Sequence, residues 1–234
     1  MNTIHMNLKS LWDRIHTAEL RFHRPPGSVK LLVVSKNRSM EEIREALSAG
    51  QYRFGENYLQ EAITKMDAFG TGDLEWHFIG PVQSNKTRPI AARFAWVHSV
   101  DRLKIAQRLN DARAPGLPPL NICLQVNICD EASKSGTGVE QLPGLAAEIL
   151  RLPRLALRGL MTMPPLSDDF TAQRMPFRLL HEAYSRLRAE SYPLDTLSMG
   201  TSSDLEAAIA EGATMIRIGT DLFGACHGAA PVDN

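Results

Sequence analysis

The sequence predicts an α/β fold, a single-domain (β/α)8 TIM barrel preceded by an N-terminal helix, and three observations predict it. Short apolar runs rich in β-branched residues recur along the chain, amphipathic segments separate them, and eight such units fit within 234 residues. Strand-helix alternation demands parallel pairing, and eight units in this length is the arithmetic of a closed barrel. The runner-up is an open doubly wound sheet. It is weakened because no Gly-rich dinucleotide fingerprint follows the first strand.

Residues 7–22 place Leu8, Leu11, Trp12, Ile15, Ala18, Leu20 and Phe22 largely at helical spacing, and Arg24-Pro25-Pro26-Gly27 stops the run. Strands are then expected near 31–35, 52–54, 75–79, 96–100, 120–128, 156–161, 196–199 and 214–218. Between them, sets such as Ile43, Ala46, Leu47 and Leu205, Ala208, Ile209 fall on one helical face. Ser39-Met40-Glu41-Glu42 and Ser203-Asp204-Leu205-Glu206 both read S-x-x-E, a capping signal, so helices are expected to begin at both places. The Pro-rich stretch Ala114 to Pro119 reads as a loop, and one domain is expected over residues 1–234.

Lys plus Arg equals Asp plus Glu at 26 each, which removes the long-range positive field of a nucleic-acid or anionic-membrane binder. Any anionic ligand must therefore be held locally. Cys123, Cys129 and Cys226 form no CxxC, so neither a disulfide framework nor a zinc site is suggested. Polar residues His5, Lys9, Asp13 and Arg14 interrupt the N-terminus, and no stretch approaches membrane-spanning length. A soluble cytoplasmic protein is expected, with no nucleic-acid or membrane partner. Composition leaves oligomeric state open, and a monomer is the expectation.

Barrel proteins build their sites from the loops after the strands, with phosphate commonly held after strands seven and eight. Strand seven runs into Gly200-Thr201-Ser202-Ser203 and strand eight into Arg217-Ile218-Gly219-Thr220. Each loop alone reads as a strand end or a helix cap. Together they occupy the two positions the architecture reserves for phosphate, and they read as a phosphate cradle of glycine amides and hydroxyls. Lys36 follows the first strand, Leu31-Leu32-Val33-Val34-Ser35, on the neighbouring side of the mouth. A half-enclosed lysine there can form a Schiff base, although a solvated lysine is the commoner fate. A ligand with a phosphate at one end and an aldehyde at the other would span the two, and pyridoxal 5'-phosphate (PLP) has this form.

Arg217 points to the same face as Gly219, one layer deeper. It reads either as a cation beside the ligand's pyridine nitrogen or as half of a structural salt bridge. In the first case a fixed cation disfavours protonating that nitrogen, so the cofactor is held but poorly activated for carbanion chemistry. Asn57 and His77 could meet the ligand ring, or Asn57 could cap a helix and His77 could be a hydrogen-bonded core histidine. On strand five, Asn121, Cys123, Gln125 and Asn127 alternate with apolar residues and are expected to face the barrel interior.

Val34-Ser35-Lys36, Phe54-Gly55-Glu56-Asn57-Tyr58, the Trp76 to Lys86 stretch, Ser133-Lys134-Ser135-Gly136, Gly159-Leu160-Met161 and Arg217-Ile218-Gly219-Thr220 together resemble the pyridoxal phosphate homeostasis proteins. These are related in fold to the alanine racemase N-terminal barrel, and the likeness covers nearly the whole chain. The resemblance implies that Lys36 carries PLP, that Arg217 lies by the pyridine nitrogen, and that Ser202, Gly219 and Thr220 contact the phosphate. Asn57 lines the pocket by the same analogy. One departure is Thr201, where the family usually carries methionine in Ser-Met-Gly-Met-Ser. Lys134 reads as a solvated loop residue.

The expected function is reversible, non-catalytic PLP holding in vitamin B6 homeostasis, with apo PLP-dependent enzymes as partners. The rival is a weak amino-acid racemase. It needs a second acid/base on the opposite ligand face, and the tail Ala225 to Asn234 contains no tyrosine. A Schiff-base aldolase acting on a phosphorylated sugar is a third reading, less favoured because its lysine usually sits on a later strand.

Overall fold

A computed structural model describes residues 3–70, 72, 74–129 and 135–224. The leading helix is α1 (Thr3–Arg21), and the units β1 (Lys30–Val34), α2 (Met40–Ser48), β2 (Arg53–Glu56), α3 (Leu59–Phe69), β3 (Glu75–Phe78), α4 (Thr87–Arg93), β4 (Trp96–Val100) and α5 (Leu103–Ala112) follow. The second half runs β5 (Leu120–Gln125), α6 (Leu142–Leu150), β6 (Leu155–Met161), α7 (Phe170–Ala189), β7 (Thr196–Ser198), α8 (Leu205–Ala210), β8 (Met215–Ile218) and α9 (Thr220–Phe223). The strands pair in parallel in chain order, and β8 returns to β1 with Leu31 opposite Ile216 and Val33 opposite Ile218. The expected closed barrel is what forms. No helix among the described residues is long and apolar enough to cross a membrane.

Each strand buries both faces, which is why the strands read as apolar runs rather than as clean alternation. Leu31, Val33, Phe54, Trp76, Val97, Ile122 and Ile218 point outward into the main core beneath the helices. Leu32, Ile79 and Met215 form one inward cluster, and Trp96, Cys123 and Met161 form another. Burial pushes the Cys123 thiol up to about 12, so it serves as a small apolar group. Helix α1 lies outside the ring against α2, α8 and α9. Its buried Glu19 accepts from the amides of Gly27 and Val29, each at 2.9 Å, and so ties the turn that enters β1.

Helices begin at both capping signals, though only the first forms a capping box, and the bounds of two strands need correction. The box at Ser39 forms, with Glu42 N donating to Ser39 Oγ at 3.2 Å and Ser39 N to Glu42 Oε2 at 2.7 Å. The one at Ser203 does not. Helix α8 starts after Asp204, whose carboxylate turns back to accept from Thr201 N at 2.5 Å and Thr201 Oγ at 2.8 Å. With Asp204 as the residue that starts α8, Ser203 stands one position too early for its hydroxyl to cap the helix. Strand five ends at Gln125 rather than 128, because Val126 makes only an isolated bridge to Thr137 as the chain leaves the barrel. Strand two is shifted to Arg53–Glu56, past the expected 54.

Between β6 and β7 the backbones approach so closely that a Cβ on Gly159 would lie 1.7 Å from the Thr196 carbonyl oxygen. No side-chain rotation relieves a clash with backbone. Gly159→Ala is expected to destabilise the barrel by about 1–3 kcal/mol. That corresponds to a melting midpoint lower by roughly 2–12 °C for a chain of this size. Differential scanning calorimetry reads this directly, and an unchanged midpoint would contradict the close packing.

Candidate functional site

The carboxyl ends of the strands collect the chemistry-bearing residues on one rim. On β1, Leu32 and Val34 face inward, so Lys36 continues the inward side where the ladder ends. Ser35 faces the other way and donates to Glu56 Oε1 at 2.6 Å. The chain turns immediately, with Asn37 left-handed at φ 57° and Arg38 N bonded to Ser35 O at 3.1 Å. Lys36 is half-buried and makes no hydrogen bond or ion pair with the described residues.

A second lysine, not singled out from sequence, holds this turn from behind. Lys65 of α3 is buried, and its Nζ donates to Ser35 O at 2.5 Å, Glu56 Oε1 at 2.7 Å and Glu61 Oε1 at 2.6 Å. It thereby fixes the carbonyl that precedes Lys36. Glu56 lies inside a segment the sequence did single out, but the segment was read for Asn57. Glu56 Oε2 is buried without a partner, and burial raises the carboxyl from 4.5 to about 7 against the pull of Lys65.

Gly200 sits at φ 94°, and a Cβ there would lie 2.5 Å from Ala208 Cβ, so glycine lets α8 close over the end of β7. Its carbonyl accepts from Arg217 N at 2.9 Å. Ser202 Oγ accepts from Asp221 N at 3.3 Å, which joins the two loops and leaves the serine hydrogen free to donate elsewhere. Gly219 and Thr220 open α9, whose own hydrogen bonds begin with Leu222 N to Gly219 O at 3.2 Å. Gly219 also passes close to Val34, which places it beside the strand that carries Lys36. The arc from β7 through β8 to β1 thus brings together Gly200, Ser202, Gly219, Thr220 and Lys36.

Arg217 is buried beneath this arc. Its Nη1 donates to Ser198 Oγ and its Nη2 to Thr162 O, each at 2.8 Å. The salt-bridge alternative does not hold among the described residues, because both partners are neutral. Burial lowers the guanidinium to about 10. Asn57 is not a helix cap, since the residue at the start of α3 is Tyr58. Its Oδ1 is buried with no partner among the described residues. It lines a cavity of about 350 Å³, with Ile79, Pro81, Gln125, Asn127 and Met163 among the other walls. Gln125 and Asn127, expected on the barrel-interior side, line this cavity together with their neighbours Val126 and Ile128, while Cys123 lies in the inward cluster as expected. Asn121 lies at the other end of the barrel, accepting from Arg158 Nη1 at 2.8 Å. The cavity occupies the β2–β6 side of the rim, and Lys36 and Arg217 are not among its walls.

His77 does not reach the ligand side of the rim. It is a core histidine one layer down, stacked on Trp96 with ring centroids 5.4 Å apart. Its Nε2 pairs with Glu75 Oε1 at 2.9 Å and its Nδ1 with His98 Nε2 at 2.9 Å, while His98 Nδ1 meets Ser198 Oγ at 2.8 Å. His98 was missed from sequence. The alternation of Trp96, His98 and Val100 with Val97 and Ser99 on β4 was the available signal. Lys134, Cys226 and His227 lie outside the described residues.

The family model for the alanine racemase N-terminal domain matches residues 7–227. A curated Pseudomonas aeruginosa protein named pyridoxal phosphate homeostasis protein is 55% identical over 231 residues, covering 99% of each chain. The chain belongs to the pyridoxal phosphate homeostasis protein family. Among solved structures, PipY of Synechococcus elongatus with PLP bound matches with a TM-score of 0.78 and 38% identity, covering 94% of this chain and 100% of that one. Alanine racemase of Corynebacterium glutamicum matches with a TM-score of 0.72 at 14% identity. It shares the fold, and this chain spans 61% of that enzyme. Within the homeostasis family, the segments that hold Lys36, Asn57 and Arg217 are thus carried on a barrel of the racemase N-terminal type.

The Glu56 site carries a pH signature opposite to that of an ordinary salt-bridged carboxylate. Because its folded-state value is raised from 4.5 to about 7, the folded protein binds the proton more tightly than the unfolded chain. Stability contributed at this position is present below pH 4.5 and lost as pH rises through about 7. Melting curves of wild type and Glu56→Gln across this window are expected to diverge, the wild type losing ground to the variant with rising pH. Parallel curves would refute the shift.

Proposed function

We propose that this chain, residues 1–234 acting as one PLP-binding domain, holds PLP as a Schiff base on Lys36 and serves intracellular vitamin B6 homeostasis without turning over a substrate. The observation that carries this reading is an uncommitted lysine on the same rim arc as the hydroxyl and amide donors of Ser202, Gly219 and Thr220. The PLP-bound PipY structure supports the choice of ligand.

The residues present fit the group. Asn57 Oδ1 is a buried polar atom lacking a partner, as expected where a ligand completes the hydrogen bonding. Arg217 uses two of its N–H groups on Ser198 and Thr162 and retains others for a pyridine nitrogen. When bound, PLP supplies an aldehyde that a primary amine captures reversibly. Lys36 is the amine, Gly200 lets the backbone approach the phosphate, and Ser202, Gly219 and Thr220 donate to it. Arg217 remains a cation and disfavours protonation of the ring nitrogen, so the ligand is stored rather than activated. Thr201, which bonds Asp204, stiffens the loop that carries Ser202.

Reversible storage suits delivery to apo PLP-dependent enzymes by a cytoplasmic monomer. The fold shared with alanine racemase is the ground for the rival, weak racemization, which would need an acid/base on the second face of the ligand. The decisive measurement is the visible spectrum after PLP addition, followed by borohydride reduction and peptide mapping, with Lys36→Ala alongside. A visible band with the reduced adduct on Lys36, absent from that position in the variant, is expected. No band, or an adduct elsewhere in the wild type, would overturn the assignment. A coupled assay is expected to show no steady conversion of L- to D-alanine, and conversion abolished by Lys36→Ala would establish the racemase instead.

A further inference from the structure

Arg217 brings a positive charge into the barrel with no carboxylate against it among the described residues, and a buried charge is costly unless something compensates it. A chain of hydrogen bonds leads from it through the barrel interior to a carboxylate at the opposite end. Glu75 opens β3, its side chain is 35% exposed, and it also accepts from Arg53 Nε at 3.1 Å. The hydrogen bond from His77 keeps its carboxyl below the usual range, so it is an ionised acceptor.

The protons on this chain have one arrangement. Arg217 can only donate, so Ser198 Oγ accepts from Nη1 and its own hydrogen goes to His98 Nδ1. His98 then carries its proton on Nε2 and gives it to His77 Nδ1. His77 likewise carries its proton on Nε2 and gives it to Glu75. Every link has one donor and one acceptor with both imidazoles neutral. Running the chain the other way requires a protonated Glu75.

Burial keeps the imidazoles neutral, on His77 against the pull of Glu75, and the neighbouring cations act in the same direction as burial. Arg53 of β2 and Lys30 of β1 face His77, and Arg217 of β8 faces His98. Arg158 of β6 lies 5.0 Å over the Trp96 ring and is itself paired with Asp195, while Asp204 acts on Arg217 from the loop after β7. Cys123 of β5 is protonated.

We infer that Glu75, His77, His98 and Ser198 are positioning residues for Arg217: the carboxylate at the amino end of the barrel sets the direction of the chain, and the chain presents the guanidinium as a fixed donor to the ligand at the mouth. The ligand half of this inference rests on the PLP reading. The direction of the chain does not.

The test is nitrogen-proton correlation NMR of the histidine rings in the full-length protein without PLP, paired with PLP titrations followed in the visible. In wild type at neutral pH, both His77 and His98 are expected as neutral Nε2–H tautomers. Glu75→Leu removes the acceptor and is expected to move His98, two links away, off the pure Nε2–H form. It is also expected to weaken PLP binding on the order of tenfold, the scale of one charge-assisted hydrogen bond. Glu75→Gln keeps an acceptor oxygen and is expected to restore both readouts. An Nδ1–H or doubly protonated imidazole in wild type would overturn the inference, and this result does not depend on any variant folding. An unmoved His98, or unchanged PLP affinity in Glu75→Leu, would overturn it as well. Expected tautomers in a wild type that binds no PLP would instead overturn the ligand reading and leave the direction of the chain established.

Discussion

The pairing of β8 with β1 is the constraint on which the other placements depend. Leu32 lies opposite Arg217 and Val33 opposite Ile218, so the chain's last strand delivers Gly219 and Thr220 beside the strand that delivers Lys36. An open sheet would leave these residues at opposite edges. Closure also gives every strand a sealed interior face, and parallel strands then gather their carboxyl ends on a single rim.

Three cations near that rim are treated in three ways, and the differences assign their chemistry. Lys65 is buried and matched to Glu56 and Glu61, so its nitrogen is committed to holding the β1 turn. Arg217 is buried against neutral partners, so it keeps its charge and spare donors. Lys36 is half-buried and has no described partner, which leaves its nitrogen available. The covalent role proposed for Lys36 rests on its being the lysine that the described residues do not use elsewhere.

Much of the fold was legible because a parallel barrel strand is buried on both faces and announces itself as a short apolar run. The errors fall where a local pattern outlasts its cause. Val126 and Ile128 prolong the alternation of strand five beyond the ladder, which stops where the chain bridges to Thr137. Ser203-x-x-Glu206 has the form of a capping box, but α8 starts from Asp204, one residue out of register with it. His77 and Glu56 sat in segments that drew attention, yet their partners, His98 and Lys65, lie 21 and 9 residues away, and nothing local distinguishes them.

The sequence by itself determined the strand-helix order, the barrel class and the identity of the rim residues, because hydrophobic periodicity and the positions of strand ends are local properties. Tertiary structure decided which polar groups meet. Ring closure puts His98 between His77 and Ser198 and, among the described residues, leaves Arg217 without a direct counter-ion and buries Glu56 and Asn57 with an unpartnered oxygen each. Such pairings depend on the radial direction and depth of each side chain within a closed barrel, which no short stretch of sequence contains.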